Sequence, residues 1–246
     1  MQVNRHMERL CMSNSPSMQK MVDWVLNARG KQIRPILTLL CSRLKGKKVD
    51  ATEVAAIIEI CHTASLIHDD IIDDADMRRG QLSVQKKFGR EMAVYCGDFM
   101  IFAALGRTDL RLKPWYRAMF SRLEIMCDGE IGQYDNQYNT DMIHNDFGSG
   151  YYTLPAIHTF MDPVYGKKLA LLAGKLKNGT GDETTDTRIS ELIRAAGGYD
   201  YTLKRMEHFR NLAKESLEIF GDSVARRKLT ELVDYLWESA NALRIE

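Results

Sequence analysis

An all-α fold is expected for this chain of 246 residues, on three features of its sequence. Apolar residues recur at three- and four-residue spacing, the period of a helix with one buried face. The alternation of β-branched and polar residues that marks strands is scarce. Only five prolines interrupt the pattern. The length suits one large domain or two small ones, ample for a buried core.

Taken in order, residues 18–28 read as an amphipathic helix ending near Gly30. A basic junction, Gly30-Lys31-Gln32-Ile33-Arg34-Pro35, leads into an apolar helix from Ile36 to Leu44. Pro35 suits the first helical position, where its missing N–H costs nothing. Lys31 and Arg34 lie three apart at a helix start, where the macrodipole and free N–H groups would add to them as a phosphate site. The same two charges also suit an ordinary exposed loop. Lys45 to Asp50 is a polar turn, and a long helix is expected over 51–77, stopped by Gly80. Residues 81–90 read as a linker with a short amphipathic piece, and 91–106 as another apolar helix. After a charged break, helix returns over 115–139, with Glu130 and Gln133 on one face. Asn, Asp, Gly and Ser at 140–153 mark a loop. Thr153-Leu154-Pro155 opens a helix to about Phe160, and further amphipathic helices are expected over 166–177, 187–196, 199–219 and 222–243. Asp182, Glu183 and Asp186 form a second acidic group, but before a helix start such residues serve as caps.

Composition narrows the function classes. A net charge of +1 offers no electrostatic case for nucleic acid or a strongly anionic membrane surface. The five cysteines (Cys11, Cys41, Cys61, Cys96, Cys127) are scattered, which points to reduced thiols and away from zinc. No segment reaches the roughly 18–20 apolar residues of a membrane span; the best candidate, 54–67, is broken by Glu59 and His62. The N-terminus lacks a leader pattern. A soluble, cytoplasmic protein is expected.

The chemistry concentrates at residues 62–80. Five carboxylates (Asp69, Asp70, Asp73, Asp74, Asp76) fall within eight residues, and Arg78 and Arg79 follow at once. On a continuous helix His62, Ser65, Asp69, Asp73 and Asp76 form one stripe. Like charges at i,i+4 repel, so something cationic must compensate. Asp69 and Asp73, one turn apart, can reach the same hard divalent ion. Mg²⁺ suits them, because it takes one or two carboxylates and completes its shell with water and phosphate oxygens. A solvated acidic helix end with local arginine partners is the plainer alternative. The apolar approach from Val54 to Ile67 favours delivery of the acids into a cleft.

These residues resemble the trans-polyprenyl diphosphate synthases (the polyprenyl synthetase family), helical bundles of the isoprenoid synthase fold. His68-Asp-Asp-Ile-Ile-Asp-Asp-Ala-Asp-Met-Arg-Arg-Gly80 is similar to the family's first aspartate-rich motif, and Gly30-Lys-Gln-Ile-Arg-Pro35 to its upstream basic motif. Glu130 with Gln133, Gly150-Tyr-Tyr-Thr-Leu-Pro155 and Gly197-Gly198 match as well. The resemblance runs from about residue 18 to the C-terminus and implies a single all-α domain over 1–246. It implies catalysis at Asp69, Asp70 and Asp73, with Mg²⁺ on Asp69 and Asp73. It implies Arg78 on an allylic diphosphate, and Lys31, Arg34, His62 and Arg79 on isopentenyl diphosphate. The reaction would be head-to-tail condensation of the two, by a homodimer or a heterodimer with a related subunit. Ala64 and Ser65 lie where shorter-chain members carry a bulky aromatic, so a product longer than farnesyl diphosphate is expected.

Two departures stand out. Arg29 and Gln32 replace a Gly and an Arg of the usual basic motif. The second aspartate-rich motif is absent, as if a block of helices had been excised near 139–147. That loss would remove about half of the metal site, and the alternative is a non-catalytic or regulatory subunit, or a degenerate remnant, of such a synthase.

Overall fold

A computed structural model describes residues 2–28, 30–46, 49–108, 115–125, 127–128, 153–182 and 184–242. In chain order the elements are α1 (Gln2–Leu10), α2 (Pro16–Asn27), α3 (Ile33–Cys41), α4 (Thr52–Ile72), β1 (Met77–Arg78), β2 (Gln81–Leu82), α5 (Val84–Phe88) and α6 (Arg90–Gly106). Residues 115–125 are helical (α7). Then follow α8 (Leu154–Phe160), α9 (Tyr165–Lys177), α10 (Thr185–Ala195), α11 (Gly198–Glu218) and α12 (Val224–Ala242). Among the described residues the only sheet is the antiparallel pair β1–β2. The sequence placed most of these helices to within two or three residues. Glu130, Gln133 and the segment 139–147 lie outside the described residues.

The chain divides into two compact units, Met1–Leu112 with Leu217–Leu232, and Lys113–Ser216 with Val233–Glu246. The first is built around α4. Val54, Ala55, Ile57, Ile60, Cys61, Ala64 and Ile67 are all buried, while His62 and Ser65 are half-buried and Asp69 is exposed. α6 packs along it and α1 and α3 pack against it. Gly97 permits the approach of α6, since a Cβ there would overlap the His68 ring. The α1 helix was not foreseen: its charged residues mask Val3, Met7 and Leu10, which lie buried on one stripe. α2 starts as the sequence rules require, with Ser15 Oγ accepting from the Met18 amide and Pro16 in the first turn.

Two boundaries differ from expectation, and both matter for the site. α3 begins at Ile33, so Pro35 is its third residue, and Gln32 caps it in the left-handed region at φ 52°. α4 stops at Ile72, not 77. Asp73 keeps αR geometry and Asp74 turns left-handed at φ 51°. The Ala75 amide then donates to the Asp70 carbonyl at 2.9 Å. This is the six-to-one closure of a Schellman cap, with Asp in the position usually held by Gly. Asp76 therefore leaves the helical stripe and pairs with Lys86 Nζ at 2.8 Å.

In the second unit α8, α9 and α10 enclose Ala156, Leu169, Leu172, Ile189 and Ile193. Gly197 ends α10 at φ 73°, and Gly198 opens α11 where a Cβ would strike the Pro155 carbonyl. One glycine supplies backbone freedom and the other closeness. Asp182 accepts from the Thr184 amide at 3.0 Å and the Thr185 hydroxyl at 3.0 Å, a turn leading into α10. Among the described residues no helix is long and apolar enough to cross a membrane.

Candidate active site

The acidic rail forms at the C-terminal end of α4, the negative pole of its macrodipole. Asp69 and Asp73 are exposed, and the Asp73 amide still donates to the Asp69 carbonyl at 2.8 Å. The two carboxylates therefore remain one helical turn apart. Asp70, between them in sequence, points inward and is 2% exposed. Its Oδ1 accepts from Arg78 Nε at 2.7 Å and from Arg78 Nη2. Acids at this pole are unfavourable, and the structure offsets them locally. Arg78 neutralises Asp70, Lys86 neutralises Asp76, and Arg90 Nη2 donates to the Ile71 carbonyl at 2.8 Å.

The hairpin that follows carries the arginines. Its two central residues, Arg79 and Gly80, have φ 52° and 79°, the positive values a type I′ turn requires. Glycine takes that conformation freely, whereas an arginine holds it against a cost of about 1–3 kcal/mol. Ser83 Oγ donates to the Ala75 carbonyl at 2.7 Å, and Gln85 Nε2 to the Asp70 carbonyl at 2.7 Å, tying hairpin to cap. Gln81 Nε2 donates to the Trp24 carbonyl at 3.0 Å. Held this way, Arg79 Nη1 reaches the Ala28 carbonyl at 2.9 Å. Its guanidinium lies against Gly30, where a Cβ would stand 2.9 Å from Cζ.

The basic junction meets this cluster at Gly30, against Arg79, and at Arg34, whose charge acts on His62. Lys31 and Arg34 are exposed, and Gln32 Nε2 donates to Asn4 Oδ1 at 2.7 Å. His62 lies two turns before the acids on α4. Burial pushes its pKa down to about 4, and Arg34, Arg79 and Arg78 push the same way. It is therefore neutral at physiological pH and able to donate or accept one hydrogen bond. The three residues with positive φ that are not glycine, Gln32, Asp74 and Arg79, all fall in these segments among the described residues. Ala64 is fully buried, Ser65 Oγ donates to the His62 carbonyl at 2.9 Å, and burial raises the Cys61 thiol to about 11.

A divalent ion is the group this arrangement implies. The donor set fits: two exposed carboxylates one turn apart, with arginines beside them to meet an anion that the ion also binds. Among the described residues no three His, Cys, Asp or Glu side chains converge on one point. Any further ligands must come from water, from a bound phosphate or from outside the described residues.

The arrangement of helices is that of the isoprenoid synthase fold. The crystal structure of a decaprenyl diphosphate synthase from Rhodobacter capsulatus superposes with a TM-score of 0.83, covering 97% of this chain and 95% of its own at 18% identity. The chain belongs to the polyprenyl synthetase family, whose model matches residues 15–153. Among curated relatives, heptaprenyl diphosphate synthase component 2 from Bacillus subtilis is 33% identical over 80% of this chain. The protein of that name from Geobacillus stearothermophilus is 28% identical over 89%. The chain spans only 53% and 61% of the length of those two proteins.

Proposed function

We propose that this chain is a Mg²⁺-dependent prenyltransferase that condenses isopentenyl diphosphate head-to-tail with an allylic diphosphate. The observation that carries the reading is the Asp69–Asp73 rail, with Arg78 fixed beside it by buried Asp70. A magnesium ion bound there would supply Lewis-acid stabilisation of a departing diphosphate. The residues do the rest. Asp70 holds the Arg78 guanidinium in place before substrate arrives, so its charge meets the leaving group without reorganisation. Lys31, Arg34 and Arg79 hold the second diphosphate, and neutral His62 adds one hydrogen bond. With both substrates bound, attack of the isopentenyl double bond on the allylic cation is effectively unimolecular. The apolar wall of α4 above the acids excludes water from that cation. Small Ala64 and Ser65 leave room for a product longer than farnesyl diphosphate, in keeping with the heptaprenyl and decaprenyl names of its relatives. Incubation with isopentenyl and farnesyl diphosphates and Mg²⁺, of the chain alone and with a copurified related chain, tests this. Elongated product is expected, and none at high protein concentration in either case refutes it.

A second subunit belongs to the proposal, because the two bacillar relatives are named as one component of a synthase. The expected absence of the second aspartate-rich motif would leave such a partner to complete the metal site. Copurification of a related chain, with a rise in activity on mixing, supports this. A fully active chain that gains nothing from any related subunit refutes it. A cytoplasmic location is part of the same proposal.

A further inference from the structure

Glu59 lies on α4 one turn before His62 and is 4% exposed, a buried acid to which the chemistry above gives no task. Burying a carboxylate is costly unless nearby groups compensate it. Glu59 lines a cavity of about 20 Å³ together with Asn4, Gly30, Gln32, Thr63 and Arg79, room for about one water molecule. Five segments meet there: α1, α2, the basic junction, α4 and the hairpin. Burial raises the Glu59 carboxyl, and the charges of Arg79 and Arg34 lower it. Two of the cations assigned to the second diphosphate thus feel one buried counter-charge.

We infer that Glu59 is a positioning residue: from the wall of the cavity it shares with Gly30 and Arg79, its carboxylate keeps the Arg79 guanidinium and the basic junction in diphosphate-binding geometry. The inference rests on the diphosphate reading of Lys31, Arg34 and Arg79. Removing Glu59 has two opposed consequences. Loss of a negative charge near an anion site tightens binding by simple Coulomb attraction. Release of Arg79 weakens it. The second outcome wins if the strained turn at Arg79 persists only because its surroundings over-determine it.

Titration calorimetry of the full chain with inorganic diphosphate, without metal, separates the two. Glu59→Gln keeps the size of the side chain and removes its charge. Diphosphate affinity should fall about tenfold, the scale on which supporting residues act at ligand sites. The loss should nearly vanish in an Arg79→Gln background, and Glu59→Asp should recover part of it. Affinity equal to or tighter than the unsubstituted chain overturns the inference, and so does a loss that recurs undiminished beside Arg79→Gln. Should Glu59→Gln lose its cooperative melting, Glu59→Asp decides alone: unchanged affinity overturns the inference. Failure of the unsubstituted chain to bind diphosphate, with Arg79→Gln making no difference, refutes the diphosphate reading itself and this inference with it.

Discussion

Breaking the Asp70–Arg78 pair should cost different amounts from its two sides. The Asp70 side chain is 3% exposed and that of Arg78 is 37% exposed. Arg78→Ala strands a carboxylate in the interior, and an unpaired buried charge costs about 3–5 kcal/mol. Asp70→Ala strands a guanidinium that water already reaches, so the loss approaches that of one charged hydrogen bond, about 1.5–3 kcal/mol. For a chain of this size each kcal/mol moves the melting temperature by about 2–4 °C. The Arg78 variant should therefore melt about 6–20 °C low and the Asp70 variant about 3–12 °C low. Removing both together leaves no charge stranded, so the double variant should be more stable than Arg78→Ala alone. Scanning calorimetry of the three variants and the unsubstituted chain gives the comparison. A larger loss for Asp70→Ala than for Arg78→Ala would refute the reasoning, because the buried partner would then not set the penalty.

Asp73→Asn should move stability and activity in opposite directions. It relieves like-charge repulsion at the negative pole of α4, raising stability by a few tenths of a kcal/mol. Mg²⁺-dependent turnover should meanwhile fall about 10²–10³-fold, and a stability loss in this variant would contradict the rail. Ala64→Phe should shorten the product at a stability cost of about 1–3 kcal/mol, since the site is fully buried. Chromatography of the prenyl chains decides this, and an unchanged distribution defeats the reading that Ala64 and Ser65 leave room for a longer product. His62, pushed down from 6.5 to about 4, makes the unfolded chain the stronger proton binder between those pH values. Its contribution to stability is complete above about pH 6.5 and is lost as pH falls toward 4. Urea denaturation of His62→Gln should show a shallower decline over that window, and an unaltered decline would show that other groups cause it.

Much of the site could be read from the sequence because its spacing matches the helix repeat. Asp69 and Asp73 are four apart on a long apolar helix, and their one-turn separation survives at the cap. Lys31 and Arg34 flank a helix start, as expected, although the start is shifted toward them. The end of α4 could not be read in the same way. No Gly or Pro occurs between Ile72 and Gly80, and the closure uses an aspartate in the left-handed region where glycine is usual. The hairpin was hidden for the same reason, since Arg79-Gly80 lacks the Asn-Gly or Asp-Gly signal of a type I′ turn.

The sequence by itself determined the helical class, the family and the residues that carry charge, because periodicity and motif spacing are local properties. Tertiary structure decided which of those charges meet. Arg78 turns back to Asp70, and Arg79 reaches a carbonyl 51 residues earlier in the chain. Glu59, one more acid in an apolar run, proves to be the buried neighbour of the basic cluster. Such pairings arise where a strained turn is held by contacts from distant segments, and no local pattern encodes them.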